Sequence, residues 1–141
     1  IAYLKQKRIK MNINDTHEFE YKVEEKDLAS LLPLVKEDAF PSVLATYRMI
    51  ALMEMAAGRL MFPLLGEGEL SVGVNVNTIH TAPTLVDDTI TIKARFTGME
   101  GKLYNFEVEI FDAGGSAGKG THTRAIINNE KLLAGAAKRA L

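Results

Sequence analysis

Two side chains in this sequence, Glu54 in a largely apolar segment and His80 at the end of an alternating one, are capable of acid–base chemistry. Glu54 is the only carboxylate in ATYRMIALMEMAAGRLMF, residues 45–62, and its neighbours three and four positions away are small or apolar. Burying an unpaired carboxylate costs several kcal/mol, because the charge loses its hydration. The sequence therefore leaves two interpretations open. Glu54 is either a structural residue, at the rim of the core or buried and tied to a backbone amide, or it is held in a water-poor cleft as a base or nucleophile.

His80 ends the alternating segment LSVGVNVNTIH, residues 70–80, and precedes the loop sequence TAPT. A histidine at a strand end is either a structural residue with satisfied hydrogen bonds or an acid–base partner for a helix glutamate. The chain has three histidines and neither an HxH nor an HExxH spacing. Because zinc sites commonly use such spacings, the sequence predicts no metal site.

The composition excludes several classes of function. The chain has no cysteine, which rules out thiol nucleophiles, disulfides and cysteine-ligated zinc. A net charge of −1 argues against nucleic-acid binding, which normally needs a basic face. The apolar runs are too short and interrupted to span a bilayer, and the N-terminus lacks the apolar core of a signal peptide. We therefore expect a cytoplasmic protein that binds neither nucleic acid nor a membrane.

Two glycine-rich stretches match nucleotide-binding motifs only in part. GEGELS, residues 66–71, lacks the third glycine of a dinucleotide fingerprint and precedes a strand instead of opening a helix. GSAGKGT, residues 115–121, follows Ala113 where a phosphate loop has its first glycine, and it has Gly120 where that loop has serine or threonine. Both stretches are predicted to be turns, and no cofactor is expected.

The rest of the sequence predicts the elements that position these side chains. At 141 residues the chain is one domain. An apolar helix over residues 45–62, capped by Ser42 or Thr46 and ended by Pro63, lies between a first strand and a series of alternating segments. The predicted strands are residues 17–24, 70–80, 89–96, 103–110 and 118–128, followed by a short surface helix. This is an α+β pattern, and an antiparallel sheet wrapped around one long central helix is the hot-dog architecture.

The same periodicity assigns faces to two of these elements. Arg48 and Arg59 fall close together around the predicted helix and mark its solvated stripe, and Glu54 lies off that stripe. Alternation in the strand over residues 70–80 places one set of residues on a common face: Val72, Val74, Val76, Thr78 and His80.

The first ten residues differ from the rest of the chain. IAYLKQKRIK carries four cations and no acid, and Met11 then opens a more typical sequence. We interpret residues 1–10 as a non-native or alternative-start extension and residues 11–141 as a single domain.

Three segments taken together resemble the fluoroacetyl-CoA thioesterase family of hot-dog proteins. They are FPSVLAT, which seven intervening residues separate from a glutamate, then VGVNVNTIHTA, then GTHTRAII, in this order between Phe40 and residue 127. The resemblance implies catalytic roles for Thr46, Glu54 and His80. It implies substrate contacts for the remaining positions, which are Gly73, Arg124 and the aromatic lid residue Phe40.

The chemistry implied by the resemblance is thioester hydrolysis. Glu54 either attacks the acyl carbon to give a transient anhydride or activates a water molecule. Thr46 hydrogen bonds Glu54 or the substrate near the helix N-terminus, and His80 orients water or protonates the leaving thiolate. Gly73 leaves room for the acyl group, and Arg124 closes the site or contacts the acyl or pantetheine part. Coenzyme A is part of the substrate, and the fold implies a homodimer or a higher oligomer.

The substrate implied here is a short-chain acyl-CoA or another small acyl thioester, with CoA or a carrier protein as the thiol. The fluoroacetate-specific member of the family has a second lid phenylalanine three residues before the first, where this chain has Glu37. Two alternatives stay open at this stage. A hot-dog enoyl-CoA hydratase would consume crotonyl-CoA without releasing thiol, and a non-catalytic acyl-CoA-binding protein would bind its ligand without turnover.

Overall fold

The computed structural model describes residues 10–141, so the predicted extension lies outside the described residues except for Lys10. Met11 is buried and packs in the core. Three single turns of 3-10 helix are present, at Glu25–Asp27, Ala29–Leu31 and Phe62–Leu64. The longer elements are β1 (Thr16–Lys22), α1 (Thr46–Met61), β2 (Glu69–His80), β3 (Thr89–Glu100), β4 (Leu103–Asp112), β5 (Gly115–Asn128) and α2 (Asn129–Arg139).

The five strands form one antiparallel sheet in the order β1-β3-β4-β5-β2, with α1 packed on one face. The α1 face toward the sheet is apolar and includes Met49, Leu52 and Met53, each at most 1% exposed. Alternate residues of β3 and β4 meet this face and are equally buried, among them Ile92 and Phe106. Burying a side chain of this size contributes about 1.5–3 kcal/mol, so this layer dominates stability. The predicted α+β hot-dog architecture is confirmed.

A β-bulge in β2 changes which of its residues face the helix. The pairing with β5 shifts register between Gly73 and Asn75. Directly paired residues point to the same face of a sheet, so Val76, opposite buried His122, lies on the helix side. Before the bulge, Gly73 is the residue that faces the helix, since it pairs with Arg124. The predicted common face of Val72 and His80 is therefore wrong, because the extra residue reverses the alternation.

Helix α1 begins differently from the prediction. Its N-cap is Ala45, with no side-chain cap, so neither Ser42 nor Thr46 caps it. Instead, the backbone N–H of Ala45 donates to the backbone carbonyl of Asp27 at 2.9 Å. This contact attaches the start of α1 to the loop that follows β1.

Of the two arginines predicted to mark the solvated stripe of α1, only Arg59 is exposed. Arg48 keeps 23% of its side chain exposed and donates from Nε to Oδ1 of the fully buried Asp27 at 2.6 Å. The Tyr21 hydroxyl donates to Oδ2 of the same carboxylate at 2.6 Å. Arg59 is exposed, with its guanidinium 4.1 Å from the centre of the Phe19 ring. Arg48 is therefore part of a buried network, which periodicity alone does not reveal.

Helix α2 is exposed along its length, as predicted for a surface helix. Within residues 10–141 no helix has the length and apolar character needed to cross a membrane.

Candidate active site

Thr46 and His80 meet at one end of the sheet. Thr46 is the first residue of α1 and His80 is the last residue of β2. Their Oγ1 and Nδ1 atoms are 2.9 Å apart, which is hydrogen-bond distance. Both side chains line a cavity of about 330 Å³, and Phe40 and Pro83 form part of its apolar wall. The structure thus brings together three of the predicted site residues next to the N-terminus of a helix.

The second imidazole nitrogen of His80 is buried and has no hydrogen-bond partner among the described residues. Burial lowers the pKa of His80 below its ordinary value, while a hydrogen bond with the backbone of Ala82 acts in the opposite direction. The imidazole is therefore neutral near pH 7. A neutral imidazole next to the Thr46 hydroxyl is a group that can take part in acid–base chemistry.

Glu54 lies two turns further along α1, and a specific partner holds it. Arg124 on β5 donates from Nη1 to Glu54 Oε1 at 3.1 Å. The Glu54 side chain is 40% exposed, which agrees with a position at the rim and not with a fully buried carboxylate. The side chains three and four positions away along α1 are small or apolar, and the carboxylate extends toward Arg124 and Gly73 on the sheet. The group is therefore both positioned and accessible.

Arg124 is buried, with 8% of its surface exposed, so it is not a surface cation. Its Nε donates to Ser71 Oγ and its Nη2 to the Ser71 carbonyl, each at 3.0 Å. Its Nη1 faces Glu54 and also lies 3.1 Å from His122 Nε2. Four contacts on one planar guanidinium leave it little freedom to rotate. Arg124 consequently fixes the position of one carboxylate oxygen.

Gly73 on β2 lies directly beneath the Glu54 carboxylate. A Cβ atom at this position would overlap Glu54 Oε1 and would lie 3.3 Å from His122 Cε1. The lack of a side chain is therefore required for the observed position of Glu54. Room for an acyl group, the reason that the resemblance implies, does not account for this overlap.

His122 is the site residue that sequence reasoning missed. It is 2% exposed and lies between Arg124 and the bulge of β2, with Nδ1 2.8 Å from the Asn75 carbonyl. Burial lowers the pKa of His122, as does the charge of Arg124, while the Asn75 carbonyl and Glu54 act in the opposite direction. One observation in the sequence could have identified it: His122 and Arg124 are two positions apart and so share a face of a strand.

Within the single chain the predicted residues form two clusters. Thr46, His80 and Phe40 form the first, and Glu54, Gly73 and Arg124 form the second. Eight residues of helix separate Thr46 from Glu54, which corresponds to about 12 Å along the axis. The structure of one chain thus assembles each cluster but does not join them.

Two other features of the described residues do not point to a different site. No group of three or more histidine, aspartate or glutamate side chains that could hold a metal ion occurs within residues 10–141. A cavity of about 570 Å³ lies on the sheet face away from α1, and its walls include Lys93, Lys119 and Glu109. Its charges are largely matched, as in the 2.6 Å pair between Arg95 and Glu107. Such a surface is typical of a solvated sheet face.

Comparison with known proteins identifies relatives that cover most of the chain. Residues 23–130 match a family described as fluoroacetyl-CoA-specific thioesterase. A fluoroacetyl-CoA thioesterase from Streptantibioticus cattleyicolor is 40% identical over 110 residues, which cover 77% of this chain and 79% of that protein. The matched range contains every residue of both clusters.

Comparison with solved structures also identifies thioesterases. A structure of the fluoroacetyl-CoA thioesterase superposes with a TM-score of 0.87 at 34% identity, covering 92% of this chain and 97% of that one. A mutant of that enzyme in complex with acetyl-CoA gives 0.87 at 33% identity, covering 93% and 100%. A Thermus thermophilus hypothetical protein of the thioesterase superfamily gives 0.83 at 25% identity, covering 94% and 96%.

Proposed function

We propose that this chain, which belongs to the fluoroacetyl-CoA-specific thioesterase family and is a thioester hydrolase, cleaves a short-chain acyl-CoA or another small acyl thioester. The products are the free acid and CoA, and no cofactor takes part. The observation that carries this proposal is Glu54, a half-exposed carboxylate held at 3.1 Å by a buried arginine. A cytoplasmic location is part of the same proposal.

The reaction adds water across the carbon–sulfur bond of the thioester. Hydroxide is delivered to the acyl carbon, and the proton goes to the sulfur of the leaving thiolate. Glu54 accepts a proton from the attacking water, or attacks the carbon itself to give an anhydride that water then hydrolyses. The thiolate is a good leaving group, so modest activation is sufficient. The arrangement of Arg124 supports either role, since it orients the carboxylate without covering it.

Thr46 and His80 would act on the substrate oxygen and on the thiol. The Thr46 hydroxyl lies at the N-terminus of α1, where backbone N–H groups favour developing negative charge. His80, neutral near pH 7, would orient water or carry the proton that the thiolate takes up. Their 2.9 Å contact supports a shared role.

The lid region supports a small acyl group without selecting a fluorinated one. Phe40 lines the cavity at the start of α1 and is 47% exposed. Glu37, three residues earlier, is exposed and charged, so the lid presents half the aromatic surface of the fluoroacetate-specific enzyme. A mutant of a related enzyme has been solved in complex with acetyl-CoA. We therefore propose a non-fluorinated short-chain acyl-CoA as substrate.

The test is thiol release from acetyl-, fluoroacetyl-, butyryl- and long-chain acyl-CoA, followed with a chromogenic disulfide. The proposal expects the short-chain esters to be cleaved best, without a strong preference for fluoroacetyl-CoA. Preference for the long-chain ester would refute the substrate class. Crotonyl-CoA consumed without thiol would instead indicate a hydratase, and tight binding without turnover would indicate a binding protein.

We propose further that the active form is a homodimer, in which one protomer supplies Thr46 and His80 and the other supplies Glu54. The separation of the two clusters supports this arrangement. So does β2, an edge strand in the described sheet whose outer backbone is available for pairing. This strand exposes four large apolar side chains, which a second copy would cover: Leu70, Val74, Val76 and Ile79.

Two inactive variants test whether the site is shared. Thr46→Ala and Glu54→Gln are unfolded together and refolded at equal concentration. If the site is shared, half of the dimers are mixed and each carries one complete site, so about one quarter of the wild-type activity returns. If each protomer contains its own site, the mixture stays as inactive as the separate variants. Sedimentation of the wild-type protein gives the oligomeric state independently.

A further inference from the structure

We propose that His122 is a positioning residue for Glu54: its neutral imidazole accepts a hydrogen bond from Arg124 and thereby directs the guanidinium toward the carboxylate. This inference rests on the proposed function, since it concerns how the catalytic carboxylate is held. His122 does not face the cavity at Thr46, and its imidazole is enclosed by protein atoms.

The hydrogen-bond partners of His122 determine where its proton lies. Nδ1 is 2.8 Å from the Asn75 carbonyl, which can only accept a hydrogen bond, so Nδ1 carries the hydrogen. Nε2 is 3.1 Å from Arg124 Nη1, which can only donate, so Nε2 carries the lone pair. Both contacts are satisfied by one form of the ring, which is neutral and protonated on Nδ1.

A charged imidazole would break this arrangement. A hydrogen on Nε2 would face the hydrogen of Arg124 Nη1, and two positive groups would then be in contact in a buried position. The titratable or charged groups that face His122 are Glu54 from α1 and Arg124 from its own strand, and Glu54 Oε1 is 3.9 Å from Nε2. The neighbouring strands contribute the Asn75 carbonyl and the ring of Phe106, neither of which titrates.

His122 acts on the Glu54 carboxylate through Arg124, because one Arg124 nitrogen, Nη1, contacts both groups. One Nη1 group donates one hydrogen to His122 Nε2 and the other to Glu54 Oε1, each at 3.1 Å. Ser71 holds the opposite edge of the guanidinium through Nε and Nη2. Without the acceptor on His122, Arg124 is held on the Ser71 side alone, and Nη1 is free to turn away from Glu54.

Two substitutions separate this role from a merely structural one. His122→Gln keeps an acceptor oxygen near the position of Nε2, and His122→Leu keeps the volume but removes the acceptor. We expect His122→Leu to lower kcat about 10- to 100-fold with little change in KM, because the carboxylate is displaced and not removed. We expect His122→Gln to recover most of that loss. Thr123→Val is the matched control, since Thr123 bonds Asn105 on the other face of the same strand.

Nuclear magnetic resonance supplies a readout that does not depend on activity. Imidazole nitrogen shifts of the wild-type protein should identify His122 as neutral and protonated on Nδ1. The carboxyl carbon resonance of Glu54 should move in His122→Leu and stay in place in Thr123→Val. A proton on Nε2, a charged ring, or an unmoved Glu54 resonance would each overturn the inference.

The activity measurements and the resonance measurements together distinguish the failure of this inference from the failure of the proposed function. If wild-type protein hydrolyses acyl-CoA and His122→Leu keeps its full kcat, the positioning role is refuted and the function stands. If wild-type protein releases no thiol, the proposed function is refuted, and the Glu54 resonance still decides whether His122 positions the carboxylate.

Discussion

Gly73→Ala is the substitution whose effect follows most directly from the geometry of the site. The added Cβ would overlap Glu54 Oε1 and would lie 3.4 Å from Glu54 Cδ. To restore ordinary contact distances, the carboxylate has to retreat by about 1 Å. Its 3.1 Å hydrogen bond from Arg124 would then lengthen beyond the range of a hydrogen bond.

The expected cost falls on the rate of reaction more than on stability. Misplacing a catalytic group by about 1 Å lowers the rate on the order of 100-fold, so we expect kcat for acetyl-CoA to fall by that factor. Overpacking costs about 1–3 kcal/mol in a rigid core, and the low end applies here because the end of a half-exposed side chain can move. The protein should therefore remain folded, with a small decrease in melting temperature.

The assay is thiol release from acetyl-CoA and butyryl-CoA, with Gly58→Ala as the control. Gly58 lies within α1, and a Cβ there would have nothing within 4 Å. This control adds the same methyl group and should keep wild-type activity while gaining about 0.5–1 kcal/mol of stability. If Gly73→Ala keeps its kcat for acetyl-CoA and loses only the larger ester, then Gly73 serves to admit the acyl group and the reasoning from Glu54 is refuted.

Three further predictions follow from other contacts. The free energy of unfolding should decrease as pH falls from about 7 to about 5, because burial lowers the folded-state pKa of His122 and the unfolded chain then takes up the proton first. Denaturant titrations at several pH values should show that this free energy depends less on pH in His122→Gln, and an equal dependence on pH would contradict the prediction. Asp27→Ala should destabilise the fold by about 3 kcal/mol, because it removes the carboxylate that pairs with Arg48 and leaves Glu24 as the acceptor for Tyr21; an unchanged melting curve would show that the network contributes nothing. Thr46→Ser should keep activity within about tenfold while Thr46→Val loses more, because only serine keeps a hydroxyl near His80; equal kcat values for the two variants would exclude a role for that hydroxyl.

Much of the fold could be predicted from the sequence, because its core follows simple periods. The alternation of Ile90, Ile92, Ala94 and Phe96 matches the observed buried face of β3. The helix over residues 45–62 differs from the observed Thr46–Met61 only at its ends. These features depend on local patterns of apolar residues, which a single sequence displays directly.

The errors arose where a contact between distant segments overrides the local pattern. The bulge near Gly73 depends on the pairing with β5, so alternation in β2 alone could not locate it. Periodicity places Arg48 in solvent, because its partner, Asp27, lies in a turn 21 residues earlier. The predicted side-chain cap of α1 is wrong for the same reason, since the backbone carbonyl of Asp27 accepts a hydrogen bond from the N-cap residue, Ala45, instead.

The resemblance names the residues of the candidate site, and the structure shows how they are arranged. The resemblance placed Thr46, His80 and Glu54 in one reaction, and the structure supplies the contacts that hold each of them. It adds His122, and it assigns Gly73 a second reason for having no side chain. Neither feature is visible without knowing that β2 and β5 are neighbours.

The most direct test of the account is the rate of thiol release by Glu54→Gln beside the wild-type protein. Glutamine keeps the size of the side chain but can neither accept the proton nor attack the acyl carbon. Glu130→Gln serves as the control, because it removes a carboxylate from the exposed helix α2. The account predicts that Glu54→Gln loses at least about 100-fold in kcat, roughly 2.7 kcal/mol of barrier, while the control is unaffected. Wild-type activity in Glu54→Gln would contradict it and would leave Glu54 as a structural partner of Arg124.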